Sequence, residues 1–318
     1  MAPIAEITHA PFRREVRRFS KSVLLYSEML SAASIAGGGF KNKYLLQQNE
    51  NDFPFVWQIL GNDPQKMHEA AEMLSEKENT SGVDINMGCS APDIVKKNMG
   101  SKLLLEENFE TVKMILRLCR KAVKNKTLSI KIRCGYDRYD QHNFLNICSL
   151  AQDEGVDYIV IHPRTGKQAF KRKADWKIIE TAKRNLNIPV IGNGDIDSIE
   201  RASHILNNNI SDGIMIARSA IEKPWIFAAI EGEKDFKVDL LQVAKNILLG
   251  IERDLPVEFH KSRMRRYMAY FCQNLKFGHK FFAKIRIAEN ADDMIDILNL
   301  YLLNNPEEST INYFASIT

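Results

Sequence analysis

The sequence predicts an α/β protein, a (β/α)₈ TIM barrel followed by a C-terminal all-helical domain. Short apolar, β-branched runs recur through the first two thirds of the chain. They lack the polar alternation of a strand with one solvated face. Segments with helical periodicity separate them, so strand and helix alternate about eight times within roughly 250 residues, the usual length of such a barrel. After Gly232 the strand signals stop and helical spacing continues.

Eight strands are expected, one at the start of the chain and seven later. They are a short stub at Met1–Ile4, then Val23–Met29, Phe55–Gly61, Gly82–Gly88, Leu128–Gly135, Tyr158–Thr165, Pro189–Ile196 and Asp212–Ser219. A doubly wound open sheet uses the same alternation, but eight units fill the available length and leave no room for a second sheet domain. We therefore predict a catalytic barrel over residues 1–235 and a helical domain over residues 236–318.

Capping residues mark the expected helices. Asp63 is placed to cap a helix that begins with Pro64 and runs to Lys77, because proline is well tolerated at the first helical position. Asp197 or Ser198 can cap a helix that runs to about residue 207. Residues 236–304 are expected to be helical throughout.

Composition excludes several classes of protein. The five cysteines form no Cys-x-x-Cys pair, so neither a zinc site nor a secreted disulfide framework is indicated, and no metal is expected. Unpaired cysteines fit a reducing cytosol, so a cytoplasmic protein is predicted. A monomer is expected. No apolar segment of the length of a secretory signal or a membrane span is present, and no membrane partner is expected.

Positive charge is concentrated in one segment. The formal net charge is only +4, yet Phe259–Arg286 carries eight Lys and Arg and no Asp or Glu, which leaves 36 basic and 40 acidic residues elsewhere. Such a stretch within the helical domain is suited to contacting nucleic-acid phosphates, and the alternative is a solvated helix face.

Polar side chains interrupt or end the predicted strands. A TIM barrel keeps its chemistry at the C-terminal ends of its strands, so these side chains are expected to meet at one site. The set comprises Gln58, Asn86, Cys89, Lys131, Arg133, His162, Arg164, Asn193, Asp195 and Arg218.

The last two predicted strands indicate a phosphate site. Gly192 and Gly194 allow a ligand to approach the backbone closely, and Arg218 offers a bidentate charged donor one strand later. The alternative is that Gly-Asn-Gly is only a turn. If the phosphate belongs to FMN, Lys131 and His162 can stabilise the reduced flavin ring, and Gln58 can bond its edge.

Each of these side chains has an alternative structural role. Lys131 could instead form an internal ion pair with Asp84 or Asp195, and His162 could be a hydrogen-bonded core histidine. Cys89 follows Asn86-Met87-Gly88 at a strand end, where a thiol, mostly protonated at neutral pH, can act as a general acid. Cys119, Cys148 and Cys272 are expected to be buried and inert.

At these residues the chain resembles the tRNA-dihydrouridine synthase family over essentially its whole length. The matching segments, in family order, are Met1-Ala2-Pro3-Ile4-Ala5 with Pro11-Phe12-Arg13, Asp84-Ile85-Asn86-Met87-Gly88-Cys89 with Gly100-Ser101, Lys131-Ile132-Arg133, His162-Pro163-Arg164-Thr165, Gly192-Asn193-Gly194-Asp195-Ile196 and Met215-Ile216-Ala217-Arg218. Each motif is weak alone, and six in order are specific.

The resemblance implies FMN as cofactor, NADPH or NADH as reductant and a uridine in tRNA as substrate, with Cys89 as the acid. It assigns FMN contacts to Pro3, Ile4, Ala5, Gln58, Lys131, His162, Asn193, Gly194, Asp195, Ala217 and Arg218. It places three side chains near the uracil or the tRNA backbone, namely Asn86, Arg133 and Arg164. Within the basic segment we expect tRNA contacts from Lys261, Arg263, Arg265 and Arg266.

Three positions depart from the family pattern. Glu6 and His9 stand where Gly and Asp are usual, and Ser90 replaces the proline after the catalytic cysteine. These departures affect local loop geometry rather than the expected chemistry.

The hypothesis is that hydride passes from reduced FMN to uracil C6 while Cys89 protonates C5. A flavin barrel acting on small molecules shares these features but needs no basic helical tail. A non-catalytic RNA-binding protein could retain the barrel without binding flavin. The sequence does not indicate which tRNA uridine is modified.

Overall fold

The computed structural model describes residues 1–38, 43–168, 172–232 and 236–313. Within them, seven parallel strands form one sheet in chain order. The strands are β1 Leu25–Ser31, β2 Phe55–Leu60, β3 Gly82–Met87, β4 Thr127–Arg133, β5 Tyr158–His162, β6 Val190–Asn193 and β7 Gly213–Met215. They correspond to the second to eighth predicted strands, and their interiors are almost wholly buried, as the continuous apolar runs predict.

The stub at Met1–Ile4 is not a regular strand. The Ala2 amide donates to the Ile216 carbonyl just after β7, and the Met1 ammonium donates to the Leu24 carbonyl just before β1, both at 2.8 Å. The stub therefore bonds to both edges of the sheet. Pro3 has no N–H to donate, so the pairing cannot continue as a ladder.

Strand register brings the polar residues to one edge of the sheet. Asn86 on β3 pairs with Lys131 on β4, and Arg133 at the end of β4 pairs with His162 at the end of β5. Parallel strands in this register place these side chains at the C-terminal edge, as the barrel prediction requires.

Fourteen α-helices lie within the described residues. They are α1 Ala10–Phe19, α2 Ala32–Ala36, α3 Pro64–Ser75, α4 Pro92–Val95, α5 Phe109–Val123, α6 Gln141–Asp153, α7 Trp176–Asn185, α8 Ile199–Asn207, α9 Arg218–Glu222, α10 Ile226–Glu231, α11 Leu240–Asp254, α12 Val257–Phe271, α13 Gly278–Ile285 and α14 Ala291–Asn304. Short 3₁₀ turns occur at Lys43–Leu46, Gly100–Leu104, Glu106–Asn108, Cys272–Asn274 and Pro306–Glu308.

The predicted caps are confirmed. The Asp63 carboxylate accepts from the amides of Gln65 and Lys66 at the start of α3. Of the two candidates before α8, Ser198 is the cap, since its hydroxyl accepts from the Arg201 amide. Each satisfies one or two backbone donors that the helix leaves unpaired.

The chain divides into two compact units. The first comprises Met1–Pro3, Leu24–Lys41 and Phe53–Ile216, and it contains the parallel sheet. The second comprises Ile4–Val23, Asn42–Asp52 and Ala217–Thr318. The domain boundary predicted at residue 235 falls in 233–235, outside the described residues, and the assignment of residues 1–235 and 236–318 to two functional domains remains a prediction.

Helices α11–α14 confirm the helical tail, but the expectation of helix throughout residues 236–304 is wrong at its start. Strand β8 at Phe236–Asp239 pairs antiparallel with β9 at Thr310–Tyr313. Four residues are too few to show a strand period, and Asp239 also caps α11, which marks the segment as a helix start. No helix within the described ranges is long and apolar enough to cross a membrane.

Helix α1 packs within the second unit through a buried ion pair. Arg13 on α1 contacts Asp52 at 2.9 Å with both side chains almost fully buried, and it donates to two carbonyls as well. The ring of Phe12 contacts Tyr267 of α12 edge-on. A charge pair that is desolvated to this degree needs such additional hydrogen bonds to be tolerated.

Candidate active site

The loop that carries Cys89 begins where β3 ends. The Asn86 side-chain oxygen accepts from the backbone amides of Gly88 at 3.1 Å and Cys89 at 2.9 Å. The Cys89 carbonyl accepts from the Ser101 amide at 2.8 Å. Gly100 has φ +61° and an added Cβ would lie 2.3 Å from that carbonyl, so the family motif needs glycine there. Cys89 is half-buried and its thiol is free.

A chain of amide hydrogen bonds fixes Asn86 in turn. Asn86 donates from its side-chain nitrogen to Gln58 Oε1 at 2.9 Å, and Gln58 donates from Nε2 to the Asp84 carboxylate at 2.7 Å. Ser129 donates to the other carboxylate oxygen at 2.6 Å. Because a carboxylate only accepts, Asp84 sets the orientation of both amides and so of the Cys89 loop.

Asp84 is fully buried in the strand layer. Burial raises the pKa of its carboxyl group to about 6, while the hydrogen bonds from Ser129 and Gln58 act in the opposite direction. Tyr26 and Tyr158 lie near it and bond to each other through their hydroxyls at 2.8 Å. The sequence analysis considered Asp84 as a motif residue and as a possible ion-pair partner of Lys131, and it missed this buried polar cluster. A charged residue inside an otherwise apolar strand was the signal available.

Lys131 projects from β4 and donates from Nζ to the Asn193 side-chain oxygen at 3.0 Å. It forms no ion pair within the described residues, so the alternative of a pair with Asp84 or Asp195 is wrong. Desolvation lowers the pKa of Lys131 to about 8, and the nearby Arg133 guanidinium acts in the same direction. The Asp84 carboxylate acts on Lys131 only at longer range, so the direct contact of this partly buried cation is a neutral amide, and such a cation is suited to an anionic ligand.

Arg133 is buried against the Cys89 loop. It donates from Nε to the Gly88 carbonyl at 2.9 Å and from Nη1 to the Thr165 carbonyl at 3.0 Å. These bonds tie the loop after β3 to the loop after β5. The predicted contact of Arg133 with uracil or tRNA remains a prediction, and the structure adds this second, loop-fixing role.

His162 and Arg164 form a second group with Asp195. Arg164 contacts His162 Nε2 from Nη1 at 3.0 Å and Asp195 Oδ2 from Nη2 at 2.6 Å. His162 and Arg164 are buried, and Asp195 is partly exposed. The family resemblance places Arg164 near the uracil or the tRNA backbone, and that role remains a prediction.

Gly192 in β6 and Gly194 directly after it are required by local packing, in addition to their predicted phosphate role. An added Cβ at Gly192 would lie 2.3 Å from the Trp176 ring. Gly194 has φ +129°, which favours glycine, and an added Cβ there would lie 3.0 Å from the His162 ring. Asn193 is held by a bond from its side-chain nitrogen to the Met215 carbonyl at 2.7 Å. The phosphate role itself remains a prediction.

The first unit thus brings together most of the predicted site residues, namely Gln58, Asn86, Cys89, Lys131, Arg133, His162, Arg164, Asn193, Gly194 and Asp195. Pro3 also belongs to this unit. Four predicted cofactor contacts belong to the second unit, namely Ile4, Ala5, Ala217 and Arg218. Their role in binding the cofactor remains a prediction.

Two carboxylates form ion pairs with the α12 side chains that are predicted to contact tRNA. Glu6 forms ion pairs with Arg263 at 3.1 Å and Arg266 at 2.7 Å. Glu289 forms ion pairs with Lys261 and, at 3.9 Å, with Arg265. Arg263 is also buried. By contrast, Lys276, Lys280, Lys284 and Arg286 are exposed around α13.

Comparisons with known proteins agree with this geometry. The model of the family described as dihydrouridine synthase (Dus) matches residues 1–295. The chain is 33% identical over 313 residues to tRNA-dihydrouridine synthase B of Vibrio cholerae, covering 96% of this chain and 95% of that protein. It is 37% identical over 286 residues to tRNA-dihydrouridine synthase B of Pasteurella multocida, covering 87% and 84%.

Solved structures show a similar fold at low sequence identity. A variant of NCR from Zymomonas mobilis aligns with TM-score 0.53 and 14% identity, covering 73% of this chain and 85% of that one. Morphinone reductase in complex with tetrahydroNAD aligns with TM-score 0.51 and 11% identity, with the same coverage. These likenesses concern the fold alone, and they confirm the predicted TIM barrel.

Proposed function

Because the chain belongs to the dihydrouridine synthase family, we propose that it reduces uridine in tRNA to 5,6-dihydrouridine, with FMN as cofactor and NADPH or NADH as reductant. The observation that carries the proposal is the juxtaposition of two groups at one edge of the sheet. Lys131 is a partly buried cation without a carboxylate partner among the described residues, and the free thiol of Cys89 follows the neighbouring strand.

The residues present fit an FMN ring. An unpaired ammonium favours the anionic reduced flavin, and Lys131 is held by the neutral amide of Asn193 rather than by a carboxylate. The imidazole of His162 and the amide of Gln58 add hydrogen-bonding groups. We propose that Gln58, Lys131, His162, Asn193, Gly194 and Asp195 hold the cofactor, and that the predicted contacts of Pro3, Ile4, Ala5, Ala217 and Arg218 complete its binding.

The reaction adds one hydride and one proton across the C5–C6 double bond of uracil. Bound FMN, once reduced by the nicotinamide nucleotide, would supply the hydride to C6. The Cys89 thiol donates its proton to C5, and the resulting thiolate regains a proton from solvent. Asn86 and Arg133 hold the Cys89 loop in one conformation. The thiol is therefore already positioned when the substrate binds.

A uridine stacked inside folded tRNA must leave the stack to reach this edge of the barrel, as other enzymes that modify bases require. Phosphate contacts are needed to hold the tRNA while this happens. We propose that the second unit supplies them through its exposed cations around α13 and, where Glu6 and Glu289 release them, through the cations of α12.

The test is nucleoside analysis of tRNA incubated with purified protein, FMN and NADPH. The expected result is dihydrouridine in tRNA from cells that lack this gene and none when NADPH is omitted. Free uridine and a small α,β-unsaturated ketone serve as alternative substrates under the same conditions. Rapid oxidation of the reduced flavin by the ketone, with no dihydrouridine in tRNA, would contradict the proposal.

A further inference from the structure

Arg164 is buried in the loop after β5, and its side chain donates in three directions. Its Nη1 group contacts His162 Nε2 at 3.0 Å, its Nη2 group contacts Asp195 Oδ2 at 2.6 Å, and its Nε group contacts the Arg172 carbonyl. The described neighbours of this guanidinium therefore include an imidazole, a carboxylate and a backbone carbonyl.

The chemistry of these groups settles where the proton of the imidazole lies. A guanidinium can only donate, and it keeps its charge at every pH at which a protein is folded. A hydrogen bond between Arg164 and His162 Nε2 therefore requires a lone pair on Nε2. A neutral imidazole has one proton, so that proton lies on Nδ1. Protonating Nε2 would break this bond and bring two cations to 3.0 Å.

The guanidinium is itself held in place. Asp195 accepts from Arg164 and also from the Ala174 backbone amide at 2.8 Å, and its backbone has φ +51°. Gly194 limits the ring from another side, because even a Cβ at that position would lie 3.0 Å from the His162 ring. Neither partner of the Arg164–His162 bond can move away without disturbing these contacts.

Within the described residues, the charged groups placed near the ring are two cations and one carboxylate that Arg164 already binds. Arg133, the strand partner of His162, is cationic and directs its guanidinium to the Gly88 and Thr165 carbonyls. Lys131, two residues earlier on β4, is a further cation. Asp195 is the nearby carboxylate, and Arg164 neutralises it.

We propose that Arg164 is a positioning residue that keeps His162 neutral, with its proton on Nδ1. The consequence for the reaction rests on the proposed function. His162 then offers the flavin an N–H donor and no charge, and of the two side chains Lys131 alone supplies the positive charge that stabilises the reduced ring. Arg164 acts through His162 and need not touch the substrate.

Nitrogen NMR of the histidine ring tests this directly in the protein without FMN. The expected wild-type spectrum has a protonated Nδ1 and an unprotonated Nε2 that do not change between about pH 5 and 8. In Arg164→Met, which removes the donors but keeps a long side chain, we expect mixed tautomers and a titration near the ordinary histidine value of about 6.5. Arg184→Met, at an exposed ion pair on α7, is the matched control and should leave the ring unchanged.

A functional readout separates this role from a purely structural one. FMN affinity should rise as the pH drops below about 6.5 in Arg164→Met but not in the wild type, because only the variant gains a charged imidazole there, and that charge attracts the anionic cofactor. A wild-type His162 that titrates in this range, or that carries its proton on Nε2, overturns the proposal, even if Arg164→Met folds poorly. These spectra do not depend on uridine reduction, so they remain decisive if the proposed function fails.

Discussion

Glu6 and His9 depart from the family pattern, and the structure gives each a physical account. Glu6 adopts φ +69°, a backbone conformation that explains why glycine is usual there. Its carboxylate pairs with Arg263 and Arg266, which offsets the cost of that conformation. His9 replaces the usual aspartate as cap of α1, with Nδ1 accepting from the Phe12 amide at 3.3 Å.

The substitution at His9 has a cost that depends on pH. Its Nε2 is buried without a partner in the described part of the chain, and burial lowers the pKa of the imidazole to about 3. The unfolded chain takes up a proton near pH 6.5 and the folded protein does not. Stability from this group is therefore present above about pH 6.5 and is lost as the pH falls from there towards 3.

We predict that His9→Asn weakens the acid sensitivity of folding, because asparagine can still cap the helix and does not titrate. Between pH 7 and pH 4.5 the wild type should lose about 2 kcal/mol more unfolding free energy than the variant. Urea unfolding at the two pH values measures this difference. The raised pKa of Asp84 acts with the opposite sign below about pH 6, but it is common to both proteins and cancels. Equal losses in the two proteins would disprove the account.

The sequence predicts which polar side chains lie together where they fall at the ends of neighbouring strands. Gln58, Asn86 and Cys89 are joined by hydrogen bonds, and Lys131 and Asn193 form a second bonded pair, because parallel strands in register bring these residues to one edge. The sequence could not show that Arg164 is buried and bonded to His162, because burial of a loop residue depends on contacts distant in sequence.

At the scale of elements, the basic stretch Phe259–Arg286 contains two helices, one whose cations form ion pairs with carboxylates and one whose lysines do not. The cations of α12 face Glu6 and Glu289, which lie outside the stretch and were invisible to a local charge count. The lysines of α13, Lys280 and Lys284, are exposed and form no ion pair within the described residues. A phosphate approaching α12 must displace a carboxylate, whereas one approaching α13 need not.

We therefore predict that the double reversal Lys280→Glu and Lys284→Glu weakens tRNA binding and reduces its salt dependence. Each lost phosphate contact should lower the magnitude of the log–log salt slope by about 0.7 to 0.9. Filter binding over a range of KCl concentrations measures both quantities. The matched control is Lys121→Glu with Lys177→Glu, two exposed lysines of the first unit. An equal effect of the two pairs would place the docking surface elsewhere.

Strands and helices could be predicted where the apolar run is long or where a capping residue also marks the start of the element. Continuous apolar runs identified β1–β7, and caps such as Asp63 and Ser198 fixed helix starts. The strands β8 and β9 were missed because four residues carry no readable period, and their pairing joins segments about seventy residues apart.

At the scale of the whole molecule, each compact unit is assembled from segments that are not consecutive in the sequence. Segments Ile4–Val23 and Asn42–Asp52 group with the C-terminal helices, although a boundary at residue 235 was the natural reading of the sequence. The buried pair of Arg13 and Asp52 and the contact of Phe12 with Tyr267 belong to this arrangement. Such long-range partners leave no local signature, which is why the domain division could not be predicted as well as the barrel.

The central claim is that the thiol after β3 serves as the acid in a reduction whose hydride comes from a flavin held beside β4–β6. The most direct measurement follows both halves of the reaction in Cys89→Ala, with Cys148→Ala, a buried cysteine on α6, as the control. NADPH should still reduce the bound flavin, while oxidation of the reduced flavin by tRNA should slow about 10²- to 10⁴-fold, the usual contribution of a positioned acid. Cys148→Ala should slow neither step. Dihydrouridine formed by Cys89→Ala at the wild-type rate would contradict the account.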